Sequence, residues 1–327
     1  MRCALLRELG ASPEPAEADV PTPGAGQSLL QVLAAPINPV DIAVGSGRFF
    51  AGNPDPPYIP GAEAVGRVVS SERFAEGALL YAGMEGMGLR RNGGMAEHVV
   101  AEDEGSVELP GDVDSAVAGA LGIAGLAAWL PLAWRAPVRA GETVLVLGAT
   151  GTLGLIAVQA ARLLGAGRVV AAGRSEAGLE RAREHGADAV VRIDAHGTDA
   201  PASLAQALQD ACGEAGPSLV LDPLWGEPFV AALTAAAPEA RIVQLGQSAG
   251  PQAVVASGLL RGKCIDILGF TNFGVPRDVM HDALLTLIDH ASAGHIRFDL
   301  ERVALDDVPS AWQRQADGAG AKLVVIP

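Results

Sequence analysis

The sequence predicts an α/β protein in which a doubly wound parallel sheet interrupts a mostly β domain formed by both chain ends. Before about Val117, short apolar runs such as 27–33, 64–69 and 96–100 alternate with Pro and Gly, which is typical of short antiparallel strands. From Gly141 onward, strand and helix patterns alternate, which is typical of a parallel sheet covered by helices.

The alternating pattern continues to about residue 268. The chain then returns to a helix over 279–291 and to short strands. We therefore predict that the mostly β domain comprises 1–117 and 269–327 and that the parallel-sheet domain comprises 118–268. Four strands of the latter, each after a helical stretch, are predicted at 189–193, 218–222, 241–246 and 264–268.

A glycine-rich turn follows the first strand of the predicted parallel sheet. Val144 to Leu147 form an apolar run typical of a strand buried on both faces, and an amphipathic helix follows at 155–164. Such a turn lets backbone N–H groups approach a pyrophosphate at a helix N-terminus. Because Ala149 holds the first position of the strict G-x-G-x-x-G form, a structural turn without a ligand stays an alternative. The predicted cofactor contacts of the turn are Gly148, Thr150, Gly151, Thr152, Leu153 and Gly154.

The end of the second strand, 168–173, indicates which dinucleotide binds. A carboxylate about 20 residues after the turn would bind the ribose hydroxyls of NAD and repel a 2′-phosphate. The strand instead closes with Gly173, Arg174 and Ser175, so a cation and a hydroxyl donor replace the acid. We therefore predict NADPH rather than NADH as the cofactor. The alternative for Arg174 is a solvated surface residue.

Composition excludes several function classes. The 327 residues, 49% of them hydrophobic, are enough for two domains with substantial cores. The net charge of −15 and the lack of basic blocks argue against nucleic acid and leave a small-molecule substrate as the expected partner. Three cysteines, none in a C-x-x-C pair, and an N-terminus without a signal-peptide core predict a cytoplasmic protein.

One apolar segment, 116–134, is nearly long enough to span a bilayer. It is rich in Ala and Gly and contains Pro131 near its end, which favours a buried helix between the domains over a membrane span. No membrane partner is predicted.

Six motifs, in order along the chain, resemble those of one protein family. They are 37–41 (INPVD), 60–66 (PGAEAVG), 93–98 (GGMAEH), 148–154 (GATGTLG), 175–188 (SEAGLERAREHGAD) and 320–327 (GAKLVVIP). By these motifs the sequence is similar, almost end to end, to the zinc-independent quinone oxidoreductase-like branch of the medium-chain dehydrogenase/reductase superfamily. The resemblance implies a GroES-like catalytic domain formed by both chain ends and a Rossmann domain between them.

The resemblance also bears on metal chemistry. Zinc-dependent relatives bind catalytic zinc through a Cys, the His of a Gly-His-Glu motif and a later Cys or Asp, with the fourth position open. The corresponding places hold Asn38 and the sequence Gly61-Ala62-Glu63, and the four clustered cysteines of the structural zinc lobe are absent from the sequence. We therefore predict no metal and a hydride transfer that needs no strong Lewis acid.

The resemblance implies two catalytic residues. In relatives, the residue at Asn38 lies near the nicotinamide and the substrate, so its amide is expected to donate to the substrate oxygen. Asp41 is expected to support the same loop, with a turn cap as the alternative. Tyr58 is a further donor candidate, with a packing role as the alternative.

Departures from the family pattern predict an apolar pocket. Phe49 stands where enoyl-thioester reductases carry a Tyr, Ala127 where a Thr is common, and Gly178 where a Lys is common. The pocket is expected to be walled by Phe49, Phe50, Tyr58 and Trp129.

Later strand ends add cofactor contacts at the carboxyl edge of the sheet, where ligands bind in doubly wound folds. Lys322 resembles a terminal lysine that reaches the cofactor phosphate in relatives, with a surface strand residue as the alternative. For Thr271 and Asn272, the alternative to a cofactor contact is a role as loop caps. These predicted contacts are Leu245, Gly246, Gln247, Phe270, Thr271, Asn272 and Lys322.

Together these observations predict an NADPH-dependent, zinc-independent reductase of quinones or α,β-unsaturated carbonyls. Two alternatives stay open. One is an enoyl-thioester reductase, against which Phe49 counts, and the other is a non-catalytic NADPH-binding sensor or structural protein. The apolar strand 264–270 near the sheet edge is expected to pair with its twin and give a homodimer.

Overall fold

The computed structural model of the chain describes residues 1–193 and 201–327. These residues form two compact units. The unit that we call the β-rich unit comprises Met1–Ala124, Arg277–Ala293 and Asp299–Pro327. The parallel-sheet unit comprises Gly125–Pro276 and Gly294–Phe298. Both chain ends therefore belong to one unit, and its boundaries lie several residues after the predicted ones at 117 and 268.

The strands are β1 (Arg2–Leu5), β2 (Glu14–Glu17), β3 (Gln27–Pro36), β4 (Glu63–Ser70), β5 (Leu79–Gly83), β6 (His98–Glu102), β7 (Val107–Glu108), β8 (Thr143–Leu147), β9 (Arg168–Gly173), β10 (Ala189–Arg192), β11 (Leu219–Asp222), β12 (Arg241–Gln244), β13 (Asp266–Gly269), β14 (Leu300–Ala304) and β15 (Lys322–Ile326). The helices are α1 (Pro39–Gly45), α2 (Ser115–Ala120), α3 (Leu126–Leu130), α4 (Thr152–Leu163), α5 (Glu176–Glu184), α6 (Pro201–Cys212), α7 (Gly226–Ala235), α8 (Ser257–Lys263), α9 (Arg277–Ser292) and α10 (Val308–Asp317).

The parallel-sheet unit is built around six strands in the order β10-β9-β8-β11-β12-β13. Each neighbouring pair is parallel. The chain starts at the centre with β8, moves outward through β9 and β10, and then returns to build β11 to β13 on the other side, which is the predicted doubly wound arrangement. The central strands are covered on both faces, and Leu145 and Val220 on them are fully buried. This burial explains why the sequence of these strands is apolar without interruption.

The last strand of this sheet begins later than predicted. Cys264 has a left-handed φ of 52° as the C-cap of α8, so β13 starts at Asp266 rather than at Cys264. Within the described part of the chain, β13 pairs with β12 alone and forms one edge of the sheet, as the sequence predicts.

The β-rich unit joins strands from the N-terminal and C-terminal parts of the chain in one sheet of order β14-β15-β3-β4-β5-β7, with β6 also paired to β3, whereas β1 and β2 form a separate two-stranded sheet. Val324 of β15 lies opposite Pro36 of β3, and Ile37 N donates to Leu323 O at 2.9 Å. The pairing is what places Lys322, at the start of β15, beside the loop that follows β3. The domain interruption inferred from the sequence pattern thus has a direct structural basis.

The apolar segment 116–134 lies in a helical stretch, Ser115–Arg135, that is long and apolar enough to cross a membrane by length and composition. In the protein, 78% of an apolar run of 18 residues within this stretch is buried, as in a core helix. The stretch is not regular, because Gly122 has a non-helical ψ of −106°. α2 packs on β3 and β4, whereas α3 packs on α4, so the stretch divides between the two units.

Candidate functional site

The glycine turn after β8 has the local geometry of an anion site. Gly148 has a φ of 63°, which favours glycine, and Ala149 N donates to a β9 carbonyl at 2.9 Å, which ties the turn to the sheet. Leu155 N bonds to Gly151 O at 2.9 Å and closes the first turn of α4. Because a helix start has no preceding carbonyls within it, the amides of residues 152–154 have no helical acceptor and are available to an anion.

Close packing requires glycine at three positions around this turn. A Cβ at Gly154 would lie 2.9 Å from Ala149 N, so α4 rests directly on the turn. A Cβ at Gly173 or at Gly178 would overlap the side chain of Thr150. Thr150 therefore fills the space between the end of β9 and the first turn of α5. Gly178, which stands where a lysine is common in the family, leaves room for it.

The predicted 2′-phosphate contacts lie side by side at the surface. Arg174 and Ser175 follow β9 directly, and both are exposed. Ser175 is the N-cap of α5, and its Oγ accepts a bond from Gly178 N at 3.1 Å. The hydroxyl therefore stabilises the helix start and keeps its own hydrogen as a donor.

Apart from Lys322, the other predicted cofactor residues lie at the same edge, because the carboxyl ends of parallel strands meet there. Leu245 N donates to Asp222 O at 3.0 Å. Gly246 lies so close to Pro223 that a Cβ would be 2.5 Å from its carbonyl oxygen. Phe270 N donates to the last carbonyl of β12 at 2.9 Å. The loops of this edge also hold Gln247, Thr271 and Asn272.

Asp222, which ends β11, is a buried carboxylate at this edge. Its Oδ1 accepts bonds from Leu224 N at 2.9 Å and from Trp225 N at 3.0 Å, and its Oδ2 has no partner among the described residues. Burial raises the pKa of Asp222 to about 6, although the two N–H bonds act in the opposite direction. The carboxylate holds a strained turn, since Trp225 has a φ of 57° and stacks on Phe229 with 4.1 Å between ring centroids.

The β-rich unit contains a buried polar cluster. Lys322 Nζ donates to Asn38 Oδ1 at 2.5 Å and to Ile37 O at 3.1 Å. Asn38 Nδ2 donates in turn to Glu63 Oε1 at 2.7 Å, so the amide links an ammonium to a carboxylate. The members of the cluster, each at most 3% exposed, are Asn38, Asp41, Glu63, Tyr81 and Lys322.

Glu63 also connects the cluster to the interrupted helical stretch. Its Oε2 accepts bonds from Tyr81 Oη at 2.9 Å and from Ile123 N at 2.6 Å. A Cβ at Gly122 would lie 2.6 Å from Tyr81 Oη and would overlap the Glu63 carboxylate, so only glycine fits there. The break at Gly122 and the carboxylate of Glu63 are therefore coupled features of the fold.

Asp41 has the geometry of a turn cap. Its Oδ2 accepts a bond from Asn38 N at 2.7 Å, and its Oδ1 accepts one from Ala62 N at 2.8 Å. The carboxylate therefore caps α1 and ties it to the residue before β4. Burial raises the pKa of Asp41 to about 6, against the lowering effect of these two N–H bonds.

The charges of the cluster depend on one another. Burial raises the pKa of Glu63 and lowers the pKa of Lys322, because desolvation disfavours both charged forms, while their mutual attraction opposes both shifts. Lys322 is the counter-charge shared by Glu63 and Asp41. It is also one of only two lysines in the sequence, the other being Lys263.

The structure changes the expected roles of the predicted catalytic residues. Asn38 is fully buried with its amide bonded to Lys322 and Glu63, so it presents no N–H to a substrate in this conformation. Lys322 is not a surface residue, and its ammonium binds Asn38 and a backbone carbonyl instead of facing solvent. Tyr58 is buried, and its hydroxyl has no partner in the described ranges 1–193 and 201–327. Burial raises the pKa of Tyr58, and the negative charge of Asp41 raises it further.

The predicted pocket walls differ in exposure. Phe49 and Phe50 contact each other with ring centroids 4.7 Å apart. Phe50 is 84% exposed, so the prediction that it walls an apolar pocket is wrong for this conformation. Tyr58 and Trp129 are buried in their respective units.

Sequence reasoning missed Glu63 and Tyr81. In the sequence, Glu63 draws notice only as part of Gly61-Ala62-Glu63, which stands where zinc-dependent relatives have Gly-His-Glu. A signal for it exists, because an acid that opens a buried apolar strand needs a partner, and Lys322 opens another such strand. The sequence does not say that these two strand starts meet.

Lys322→Met should lower the free energy of unfolding by about 3–5 kcal/mol, because it leaves two buried carboxylates without their counter-charge. Lys263→Met is the matched control: its Nζ donates at 2.7 Å to two carbonyls, of Thr234 and Ala236, at a partly exposed site. The control should lose only about 1 kcal/mol. Urea unfolding measures both variants, and equal losses would contradict the role assigned to the buried ammonium.

Asp222→Asn should change how stability depends on pH. The folded carboxyl, with its pKa raised from 3.8 to about 6, binds its proton more tightly than the unfolded one. Its contribution to stability is therefore complete below about pH 4 and is lost by about pH 6, by up to about 3 kcal/mol. Since asparagine does not titrate, the stability of the variant relative to the native chain should rise between pH 4 and about pH 6 and then level off.

Asp114→Asn is the control of opposite sign. Asp114 caps α2, and its backbone bonds and Arg302 lower its pKa despite some desolvation. The relative stability of this variant should therefore fall, not rise, as the pH increases from below the folded pKa of Asp114. Urea unfolding from below the folded pKa of Asp114 to above about pH 6 tests both variants. A stability difference between Asp222→Asn and the native chain that does not change with pH would refute the raised pKa of Asp222.

Both units match known protein families. Residues 24–111 match the alcohol dehydrogenase GroES-like domain, and residues 152–289 match the zinc-binding dehydrogenase family. The quinone oxidoreductase-like protein 2 of Rattus norvegicus is 30% identical over 255 residues, which are 74% of this chain and 71% of that protein. The quinone oxidoreductase of Lama guanicoe is 38% identical over 149 residues, which are 44% of this chain and 43% of that protein, so the match spans less than half of either.

A solved structure agrees with these sequence matches. A mycobacterial protein in complex with NADPH aligns over the whole of both chains with a TM-score of 0.87 and 24% identity, which shows the fold. The predicted combination of a Rossmann domain with a GroES-like domain is thereby confirmed. The chain belongs to the medium-chain dehydrogenase/reductase superfamily and is quinone oxidoreductase-like.

Proposed function

We propose that the chain is an NADPH-dependent, zinc-independent reductase that transfers hydride to a quinone or an α,β-unsaturated carbonyl. The observation that carries this proposal is the end of β9, which closes on Gly173 and is followed by the exposed Arg174 and Ser175. NAD-binding strands carry a carboxylate at this place. The mycobacterial protein of the same fold is in complex with NADPH, which agrees with the proposed cofactor.

Zinc independence is proposed from the chemistry of the buried cluster. Catalytic zinc needs about three protein ligands. Among the residues that the structure describes, no group of three or more His, Cys, Asp or Glu side chains is arranged to hold a metal ion. Asn38 and Ala62 stand where zinc-dependent relatives carry Cys and His, and the Lys322 ammonium beside Asn38 repels a second cation.

The proposed acceptors suit a site without a metal. NADPH, when bound, supplies a hydride that adds to a quinone or to the β-carbon of an enone, where conjugation spreads the developing negative charge. The product oxygen or carbon then requires a proton. We assign this proton to Tyr58 Oη, because its hydroxyl has no partner among the described residues and so keeps its hydrogen for donation.

Asn38 and Asp41 have supporting roles in this proposal. Asp41 fixes the loop between β3 and α1, and Asn38 joins that loop to Lys322 and Glu63. Asn38 would have to exchange its bond with Glu63 before it donated to a substrate. Tyr58 is therefore the stronger candidate for the donor among the three predicted catalytic residues.

Two other functions lead to different assay results. The engagement of the Asn38 amide in the cluster favours the non-catalytic alternative, an NADPH-binding sensor or structural protein. An enoyl-thioester reductase is disfavoured because Phe49 has no proton to donate at the position where such enzymes carry a tyrosine. All three share the same cofactor site.

Fluorescence titration with NADPH and NADH, followed by NADPH oxidation against a quinone, an enone and an enoyl thioester, tests the proposal. NADPH should bind more tightly than NADH, and the quinone or the enone should be reduced. Tyr58→Phe should keep NADPH affinity and lower turnover of the enone by about 10²–10⁴-fold. Tight NADPH binding without turnover of any acceptor would establish the non-catalytic alternative, and stoichiometric zinc by elemental analysis would refute zinc independence.

We also propose that the chain forms a homodimer through the edge strand β13. Ile267 on this strand is 37% exposed and Phe273, shortly after the strand in the chain, is 46% exposed, so apolar side chains at and after the edge strand reach solvent. Sedimentation equilibrium should give about twice the chain mass of 33.2 kDa. Ile267→Lys should shift the protein to a monomer, whereas Val69→Lys, at an equally exposed strand position of the β-rich unit, should not.

A further inference from the structure

A second arginine lies beside the proposed 2′-phosphate contacts of the parallel-sheet unit. β10 pairs with β9 in parallel, and Arg192 lies opposite Gly173 at the ends of the two strands. Arg174 follows Gly173 directly. Two arginines therefore extend from neighbouring strand ends at one edge of the sheet.

A carboxylate occupies the same edge. Glu176 comes two residues after Arg174, in the first turn of α5, and its side chain is 76% exposed. A carboxylate near the 2′ position of the ribose repels a 2′-phosphate, which is the reason that acids mark NAD-binding strands. The absence of an acid from the strand end itself therefore does not by itself make the edge favourable to NADPH.

Arg192 pairs with this carboxylate, because its guanidinium Nη1 donates to Glu176 Oε1. We propose that Arg192 determines the specificity for the 2′-phosphate by cancelling the charge of Glu176. Among the described residues of these two strand ends, Arg174 then leaves a net positive charge. This inference rests on the proposed NADPH site, and it makes Arg192 a positioning residue that acts through Glu176.

A second ion pair, within α5, allows this role to be distinguished from a structural one. Arg183 Nη1 lies 2.9 Å from Glu180 Oε2. The side chains of this pair are 53% and 62% exposed, compared with 57% and 76% for Arg192 and Glu176. Exposed pairs of this kind contribute little to stability. A purely structural role predicts equal, small effects on nucleotide affinity when either pair is broken. The proposed role predicts an effect only for the pair of Arg192 and Glu176, because only that pair lies next to Arg174.

Titration calorimetry with 2′,5′-ADP and 5′-AMP measures the proposed effect without catalysis, because the two nucleotides differ only in the 2′-phosphate. Arg192→Ala should weaken 2′,5′-ADP and NADPH by about threefold to tenfold and leave 5′-AMP and NADH unchanged. Adding Glu176→Gln to Arg192→Ala should restore native affinity to within about twofold, since it removes the uncompensated charge. The effect of Arg192→Ala should shrink at about 0.5 M salt, because screening shortens the range of the repulsion.

Arg183→Ala is the matched control and should leave the affinities for both nucleotides unchanged. The inference is overturned if Arg192→Ala leaves 2′,5′-ADP affinity unchanged or weakens 5′-AMP equally, or if the double variant shows no recovery. Failure of the proposed function gives a different result, since the native chain itself would then show no preference for 2′,5′-ADP over 5′-AMP.

Discussion

The hydrogen-bonded chain from Lys322 through Asn38 to Glu63 is the interaction on which the β-rich unit depends. It joins three distant parts of the sequence: the loop after β3, the start of β4 and the start of the C-terminal strand β15. Through Ile123 N it also includes the helical stretch at the point where Gly122 interrupts it. These charges have left water, so each requires its partner, and none of the segments can be displaced without leaving a buried charge or a buried N–H unsatisfied.

The parallel-sheet unit positions its candidate site by other means, mainly backbone geometry and glycine packing. Its strands are parallel, so the loops after β8, β9, β11, β12 and β13 meet at one edge whatever side chains they carry. Gly154 lets α4 rest on the glycine turn, and Gly173 and Gly178 leave the space that Thr150 fills. In the proposed site, the turn therefore offers backbone amides to a pyrophosphate, and the charge at the edge selects between the two riboses.

The two units use charge in opposite ways, and this explains which positions could be predicted from the sequence. At the exposed edge, Arg174 and Ser175 directly follow β9, so their position could be predicted from the end of one strand. In the buried cluster, the role of Asn38 depends on Lys322 and Glu63, whose strands lie far from it along the chain. The resemblance to relatives singled out Asn38 and Asp41, but it did not indicate that burial would occupy the Asn38 amide and leave the Tyr58 hydroxyl without a partner among the described residues.

The α/β class, the interrupted domain order, the glycine turn and, to within about two residues, the strands of the parallel sheet could be predicted from the sequence alone. These features follow from local periodicity and from residue types that restrict the backbone, which act within a few residues. The start of β13 differed because Cys264 adopts a left-handed conformation that its composition does not signal. Only the tertiary structure decided that Lys322 is the counter-ion of Glu63, that Gly122 makes room for that carboxylate, and that Arg192 neutralises Glu176. Each of these is a pairing of charges or volumes between segments distant in sequence, and such pairings are fixed by strand order and register rather than by local pattern.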